Sequence, residues 1–177
     1  MSVFRRNFAC RVSIDFQYCG MRTAVLENER LRVSLLLDKG AEIFEFLYKP
    51  ADVDFMYLAP WGVKNPRLDV PSAAAPGAFL DYYSGGWQEI LPNGGAPSTV
   101  RGAAYGQHGD ISLIPWTAAV VEDSPDRVAV LLSVRSSRAP LYLEKELSLE
   151  RGRPVLWIKE KLVNESPTPI EFMWGHH

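Results

Sequence analysis

No stretch of this chain longer than about ten residues carries a helical period, and that limits its fold more than any other feature. The chain instead alternates apolar and polar residues, and turn chemistry interrupts the pattern at intervals of roughly 8–12 residues. Residues 12–18 alternate without a break and close on Cys19-Gly20, and residues 31–37 do the same and close on Asp38-Lys39-Gly40. Residues 41–48 read as a third strand, although the spacing of Glu42 and Glu45 would also suit a helix. Further strands are expected at 111–121 (with Pro115 marking an edge or bend), 127–134, 141–149, 155–163 and 170–174. Lys145 falls on the apolar side of the 141–149 pattern. Such a series specifies an all-β protein, an antiparallel β-sandwich formed as one domain over residues 1–177.

Residues 49–105 break the rhythm. Pro50, Pro60, Pro66, Pro71, Pro76, Pro92 and Pro97 punctuate them, with Gly77, Gly85-Gly86 and Gly94-Gly95 between. No long helix or central strand survives that density of breakers. The apolar content (Trp61, Phe79, Tyr82, Tyr83, Trp87, Ile90, Leu91) is too high for disorder, so a packed, loop-rich region that shapes a site is expected.

Charge excludes some partners. With 19 basic and 21 acidic residues and no basic block, neither nucleic acid nor an anionic membrane surface is an expected partner. Arg5-Arg6 precedes no long apolar run and no membrane span is visible, which makes a cytoplasmic location the default expectation. Cys10 and Cys19 could bridge or remain free thiols, the latter being the preferred reading. The two cysteines and three histidines match no known zinc-ligand spacing, so no metal or other cofactor is expected.

All three histidines lie in two short glycine-bearing segments, Tyr105-Gly106-Gln107-His108-Gly109-Asp110 and Trp174-Gly175-His176-His177. Imidazoles titrate near neutral pH, so two of them facing one pocket could give and take protons there. Trp87 and Trp116 could each be a stacking platform or core. Asp110 could bind hydroxyls or cap a turn, and Glu89 could act as a base or be a hydrogen-bonded structural group.

Several segments together resemble the galactose mutarotase-like superfamily, the aldose 1-epimerases and their relatives. Lys39-Gly40-Ala41-Glu42-Ile43 looks like that family's Gly-Ala-x-Ile turn. The stretch from Gly85 to Gly95, Gly-Gly-Trp-Gln-Glu-Ile-Leu-Pro-Asn-Gly-Gly, is similar to the glycine-rich loop of the hexose-phosphate epimerase branch. Gln107-His108-Gly109-Asp110 with Pro115-Trp116 resembles the His-Gly and Leu-Pro-Trp segment, and Asn164 onward resembles the strand that leads to a second active-site histidine. The arginine of the galactose mutarotase Asn-Arg-Ile motif has no match here; Arg67 and Arg101 are nearby but lie in other contexts.

The resemblance implies a supersandwich that is incomplete at its C-terminus, with this chain as the N-terminal part of a longer mutarotase-like domain. It implies aldose 1-epimerase-like isomerisation of sugar anomers, by acid–base ring opening at C1, on a hexose or hexose derivative. His108 would hold the ring oxygen or a neighbouring hydroxyl, and His177, preferred over His176, would donate the proton. His176, Trp87, Glu89, Asn93 and Asp110 would line the sugar, and the general base would lie beyond this sequence. The alternatives are a non-catalytic sugar-binding or sugar-sensing module on the same fold, or a plain interaction domain. A fragment with unpaired strand edges is expected to associate with itself as a homo-oligomer.

Overall fold

The structure, a computed structural model, describes residues 6, 8–69 and 79–177. Arg5, Pro71, Pro76 and Gly77, singled out above, lie outside the described residues. The first sheet comprises β1 (Arg11–Tyr18), β2 (Met21–Glu27), β3 (Leu31–Leu36), β4 (Glu42–Tyr48) and β5 (Val53–Asp54), joined in sequence order and antiparallel. A four-residue helix α1 (Phe79–Tyr82) and three short strands follow: β6 (Glu89–Ile90), β7 (Ser98–Val100) and β8 (Ala103–Tyr105). The second large sheet comprises β9 (Thr117–Asp123), β10 (Arg127–Arg135), β11 (Leu141–Glu150) and β12 (Leu156–Asn164) in the order β12-β11-β10-β9. The last strand, β13 (Gly175–His176), returns to pair with β6.

The two large sheets bury their inner faces against each other. Ala24, Leu26, Val33 and Leu35 from the first meet Val128, Val130, Leu132, Leu143, Leu147 and Leu149 from the second in one continuous core. These residues fall two apart along β10 and β11, as a pleated strand with one buried face requires. Each fully buried Val or Leu contributes about 1.5–3 kcal/mol of transfer free energy. The all-β antiparallel sandwich expected from the alternation is the observed fold.

Three expectations need correction. β2 had no counterpart in the alternation, because it is buried on both faces: Thr23 and Ala24 are both inside, so polar and apolar positions do not take turns. The strand expected at 111–121 begins only at Thr117. Before it, Leu113 N–H donates to Asp110 and Trp116 N–H donates to Leu37, so the segment is a turn stitched to the first sheet. Residues 170–174 are extended but form no ladder. Met173 N–H donates to Pro92 O at 2.9 Å, and Pro92 has no N–H to return the bond, so the β6–β13 ladder stops at Ile90 and Gly175.

Residues 41–48 are strand, not helix. The register with β3 shifts between Ser34 and Leu35, so Glu42 stands opposite Leu36 and Glu45 opposite Ser34 and the two share a face: Glu42 is buried beside Lys39, and Glu45 accepts hydrogen bonds from Arg32 and Ser34. Cys10 and Cys19 are both free, the former buried and the latter exposed. Burial pushes the Cys10 thiol up to about 11.

Candidate functional site

The His108 turn hangs from Leu91, the residue after β6. Asp110 N–H donates to Leu91 O, Gly109 N–H donates to Gly106 O, and His108 itself adopts a left-handed φ of 59°. Gly109 is required at its position: its φ is 77°, and a Cβ there would lie 1.9 Å from Leu91 O. Asn93 holds the opposite loop to this turn, its buried Nδ2 reaching Gly95 O, Ala96 O and Gly106 O at 3.3, 2.8 and 2.9 Å. His108 N–H donates to Gly95 O, and His108 Nδ1 lies 3.1 Å from Gly94 O. A carbonyl only accepts, so Nδ1 carries a proton, and on the other side of the ring Nε2 lies 3.4 Å from the Gln107 amide nitrogen.

The second segment arrives as a strand. His176 lies opposite Glu89, and Gln88 and His177 exchange both backbone hydrogen bonds, at 3.1 and 2.9 Å. Residues directly opposite in an antiparallel pair share a face, and neighbours along the strand take opposite faces. His177 and Gln88 therefore project to one side, and His176, Glu89 and Trp87 to the other. The preceding turn is held to the first sheet by paired bonds between Ile43 and Trp87, and to the loop after β5 by Gly86 N–H donating to Tyr57 O.

On the first side the expected meeting of remote histidines occurs. The rings of His108 and His177 lie 4.8 Å apart between centroids. Phe79 of α1 stands edge-on to both, at 4.5 and 5.4 Å, and Tyr83 stands perpendicular to His177 at 5.3 Å. Burial, and after it the charge His108 can carry, hold the His177 pKa below its ordinary value. Two adjacent imidazoles in an aromatic box, one of them with a lowered pKa, suit acid–base work.

On the other side is a charge cluster. Glu89, 2% exposed, accepts from Lys145 Nζ at 2.7 Å and from the Trp174 indole N–H, and His176 Nε2 lies 3.2 Å from both Glu89 and Glu160. Burial alone would raise the Glu89 carboxyl, but the His176 hydrogen bond and the Lys145 charge bring it down to about 2. Hydrogen bonds donated by the ring to Glu160 and then to Glu89 raise His176 to about 9, against burial. Glu89, Glu160 and His176 bring ligand atoms within 4.8 Å of one another, a spacing that could hold a metal ion. Lys145 lies 2.7 and 3.2 Å from the two carboxylates, so a cation already bridges them.

The remaining expected residues separate clearly. Trp87 stands half-buried with its ring 5.3 Å from His176, and Trp116 is core, its indole N–H donating to Ile111 O. Asp110 takes the capping alternative: its carboxylate accepts from Ser136 Oγ, Ser137 N–H and Ser137 Oγ at 2.6–2.7 Å. Asn93 joins loops through its amide nitrogen. Four residues near the site had no role assigned beforehand. Lys145 was visible as the one lysine in an apolar register, and Glu160 is its cross-strand partner. Lys39 and Glu42 pair at 2.5 Å in the core, where burial raises the Glu42 carboxyl despite the lysine.

A larger open groove of about 440 Å³, lined by Pro92, Asn93, Ser98, Tyr105, Phe172 and Met173 among others, contains none of the three histidines. Among the described residues, no helix is long and apolar enough to cross a membrane.

The nearly all-β architecture and the antiparallel sheets match the aldose epimerase-like sandwich fold. The chain is similar, at 16% identity and a TM-score of 0.69, to the crystal structure of a putative aldose 1-epimerase from Klebsiella pneumoniae, with 89% of this chain and 43% of that one covered. It is also similar, at 17% identity and a TM-score of 0.51, to a TPR-domain containing protein from Parabacteroides distasonis, with 77% of this chain and 20% of that one covered. Both likenesses concern the fold, and the chain spans less than half the length of either structure. The chain belongs to the DUF4432 family, described as a domain of unknown function, whose model matches residues 19–177. No curated protein matches it.

Proposed function

We propose that this chain forms part of an isomerase that interconverts sugar anomers by acid–base ring opening at C1. The observation that carries the reading is the meeting of His108 and His177, from segments far apart in sequence, with 4.8 Å between ring centroids inside an aromatic box. Anomer exchange needs a proton removed from the C1 hydroxyl and one delivered to the ring oxygen, with no redox change. His108, with Nδ1–H committed to Gly94 O, turns Nε2 to a sugar hydroxyl in place of the Gln107 amide that stands 3.4 Å from it. His177, whose proton is loosely held, delivers it to the ring oxygen. Tyr83, partly exposed, supplies flat apolar surface for the sugar ring's C–H face, with buried Phe79 backing both imidazoles. The sandwich fold shared with the aldose 1-epimerase-like structure supports the reading, and the general base belongs, on this proposal, to the part of the whole protein outside these 177 residues.

The test is anomer exchange followed by NMR on the full-length protein with several hexoses and hexose phosphates. Changing His108 or His177 to Gln is expected to slow exchange by about 10²–10⁴-fold, the usual contribution of a proton-transfer group. Exchange no faster than in buffer ends the proposal. Sugar binding that survives both substitutions, without exchange, identifies a binding module instead.

A further inference from the structure

The strand that carries His177 is weakly held by its backbone. In its ladder Gly175 pairs with Ile90 and His176 with Glu89, and Gln88 and His177 exchange one further pair of bonds. Ahead of the ladder, residues 170–172 make no backbone–backbone hydrogen bond among the described residues, and Met173 makes one. Two-stranded pairings this short are marginal by themselves. The angle at which the His177 ring meets His108 therefore needs a second constraint, and side chains on the reverse face of the ladder supply it.

Trp174 and His176, two apart along the chain, both reach Glu89. The Trp174 indole N–H donates to Oε1, and His176 Nε2 lies 3.2 Å from Oε2. His176 Nε2 also lies 3.2 Å from Glu160 Oε1, and Lys145 Nζ spans the two carboxylates at 2.7 and 3.2 Å. Lys145 and Glu160 are partners across β11 and β12, so the cluster ties the short ladder to the middle of two long strands. It is also dry, with Glu89 and Lys145 only 2% and 4% exposed. Charge-assisted hydrogen bonds shielded from water are the strong kind. With His176 raised to about 9, one imidazolium and one ammonium face two carboxylates at neutral pH, and the charges close.

We infer that Glu89, Lys145, Glu160 and His176 are positioning residues, which clamp the His177 strand from behind and so set the His177 imidazole against His108. The inference rests on the acid–base reading of that pair and deepens it. Glu89 and His176, which the resemblance placed around the sugar, act through the strand and do not touch the substrate. Neighbouring residues of a strand project to opposite sides, so a tilt at His176 passes to His177 through one peptide unit.

The experiment compares full-length wild type with His176→Gln, Glu160→Gln and Trp174→Phe. Val128→Ala serves as a control, because Val128 is buried in the same sheet four residues along β10 from the partner of Lys145. Two quantities are read: kcat and KM for anomer exchange, and the NOE between the His108 and His177 ring protons in histidine-labelled protein, which needs no catalysis. His176→Gln and Glu160→Gln are expected to lower kcat by about tenfold to hundredfold, as a misplacement of about 1 Å does, with KM unchanged and the cross-peak weakened. Trp174→Phe, which loses only the indole N–H, gives a smaller effect in the same direction, and it decides by the same readouts if the glutamine variants do not fold. Val128→Ala lowers the melting temperature and leaves the cross-peak, kcat and KM as they were. A raised KM with the cross-peak intact means that the cluster touches the sugar, and overturns the inference. So does a cross-peak absent from wild type, unchanged in both glutamine variants, or weakened equally by Val128→Ala. If wild type exchanges no anomers, the isomerase reading falls and the cross-peak alone decides the positioning.

Discussion

Lys145 shows how one residue can hold a site together from the far side of a core. It sits in the buried register of β11 between Leu143 and Leu147, where a lysine is retained only if its charge is met. Glu89 and Glu160 meet it at 2.7 and 3.2 Å. Replacing it with Met leaves two carboxylates without their ammonium, and breaking a buried pair in this way costs about 3–5 kcal/mol. The expected result is a melting temperature lower by roughly 10 °C in calorimetry; a shift near zero would show that the pair contributes nothing net. The same cluster fixes a pH window. His176 is raised to about 9 from its ordinary 6.5, so its contribution is whole below 6.5 and is lost as pH climbs to 9. Glu89 is lowered to about 2 from 4.5, so its contribution is whole above 4.5 and is lost as pH falls to 2. Both are intact between 4.5 and 6.5. Melting temperatures should therefore decline from pH 6.5 to 9 in wild type and stay level there in a His176→Gln protein.

Among the elements, the two loops that frame the histidine pair rely on one amide. Asn93 donates to carbonyls on both the 93–96 loop and the 106–109 turn, and the first of these also supplies the Gly94 carbonyl that sets the His108 tautomer. Asn93→Ala removes the donor that ties the two loops; Gly95 O and Gly106 O keep the His108 and Gly109 N–H groups and Ala96 is exposed, so each lost hydrogen bond costs about 0.5–1.5 kcal/mol. Exchange should fall by more than about tenfold while the fold survives, since a loosely held imidazole loses its alignment; unchanged exchange would show that the backbone bonds suffice. Little of this could be read in advance. The density of proline and glycine at 49–105 marked a packed loop region, but which carbonyls one asparagine would reach depends on loop paths that no periodicity encodes. The histidine segments were legible because histidine is scarce here and all three copies fall in two short segments that carry glycine. The role of Asp110 was legible only as a choice between two, and the neighbouring serines of the 136–137 turn, remote in sequence, decided it.

In the molecule as a whole, the sandwich was legible because β10 and β11 bury one face each and alternate accordingly, whereas β2, buried on both, gave no such signal. Polar groups inside the core were the harder part. Lys39, Glu42, Lys145 and Glu160 sit where pattern reasoning expects carbon, and their partners come from other elements. The two-residue pairing of β6 with β13 has an evolutionary corollary. Because adjacent residues there serve opposite sides, inserting one residue ahead of Gly175 would place His176 across from Gln88 and a glycine across from Glu89. Lineages that carry this ladder can drift by substitution along 165–173, whereas a change of length between Trp174 and His177 exchanges the two histidines' surroundings at a stroke. Gene-length variation in this family should therefore collect in the loops and spare these four positions.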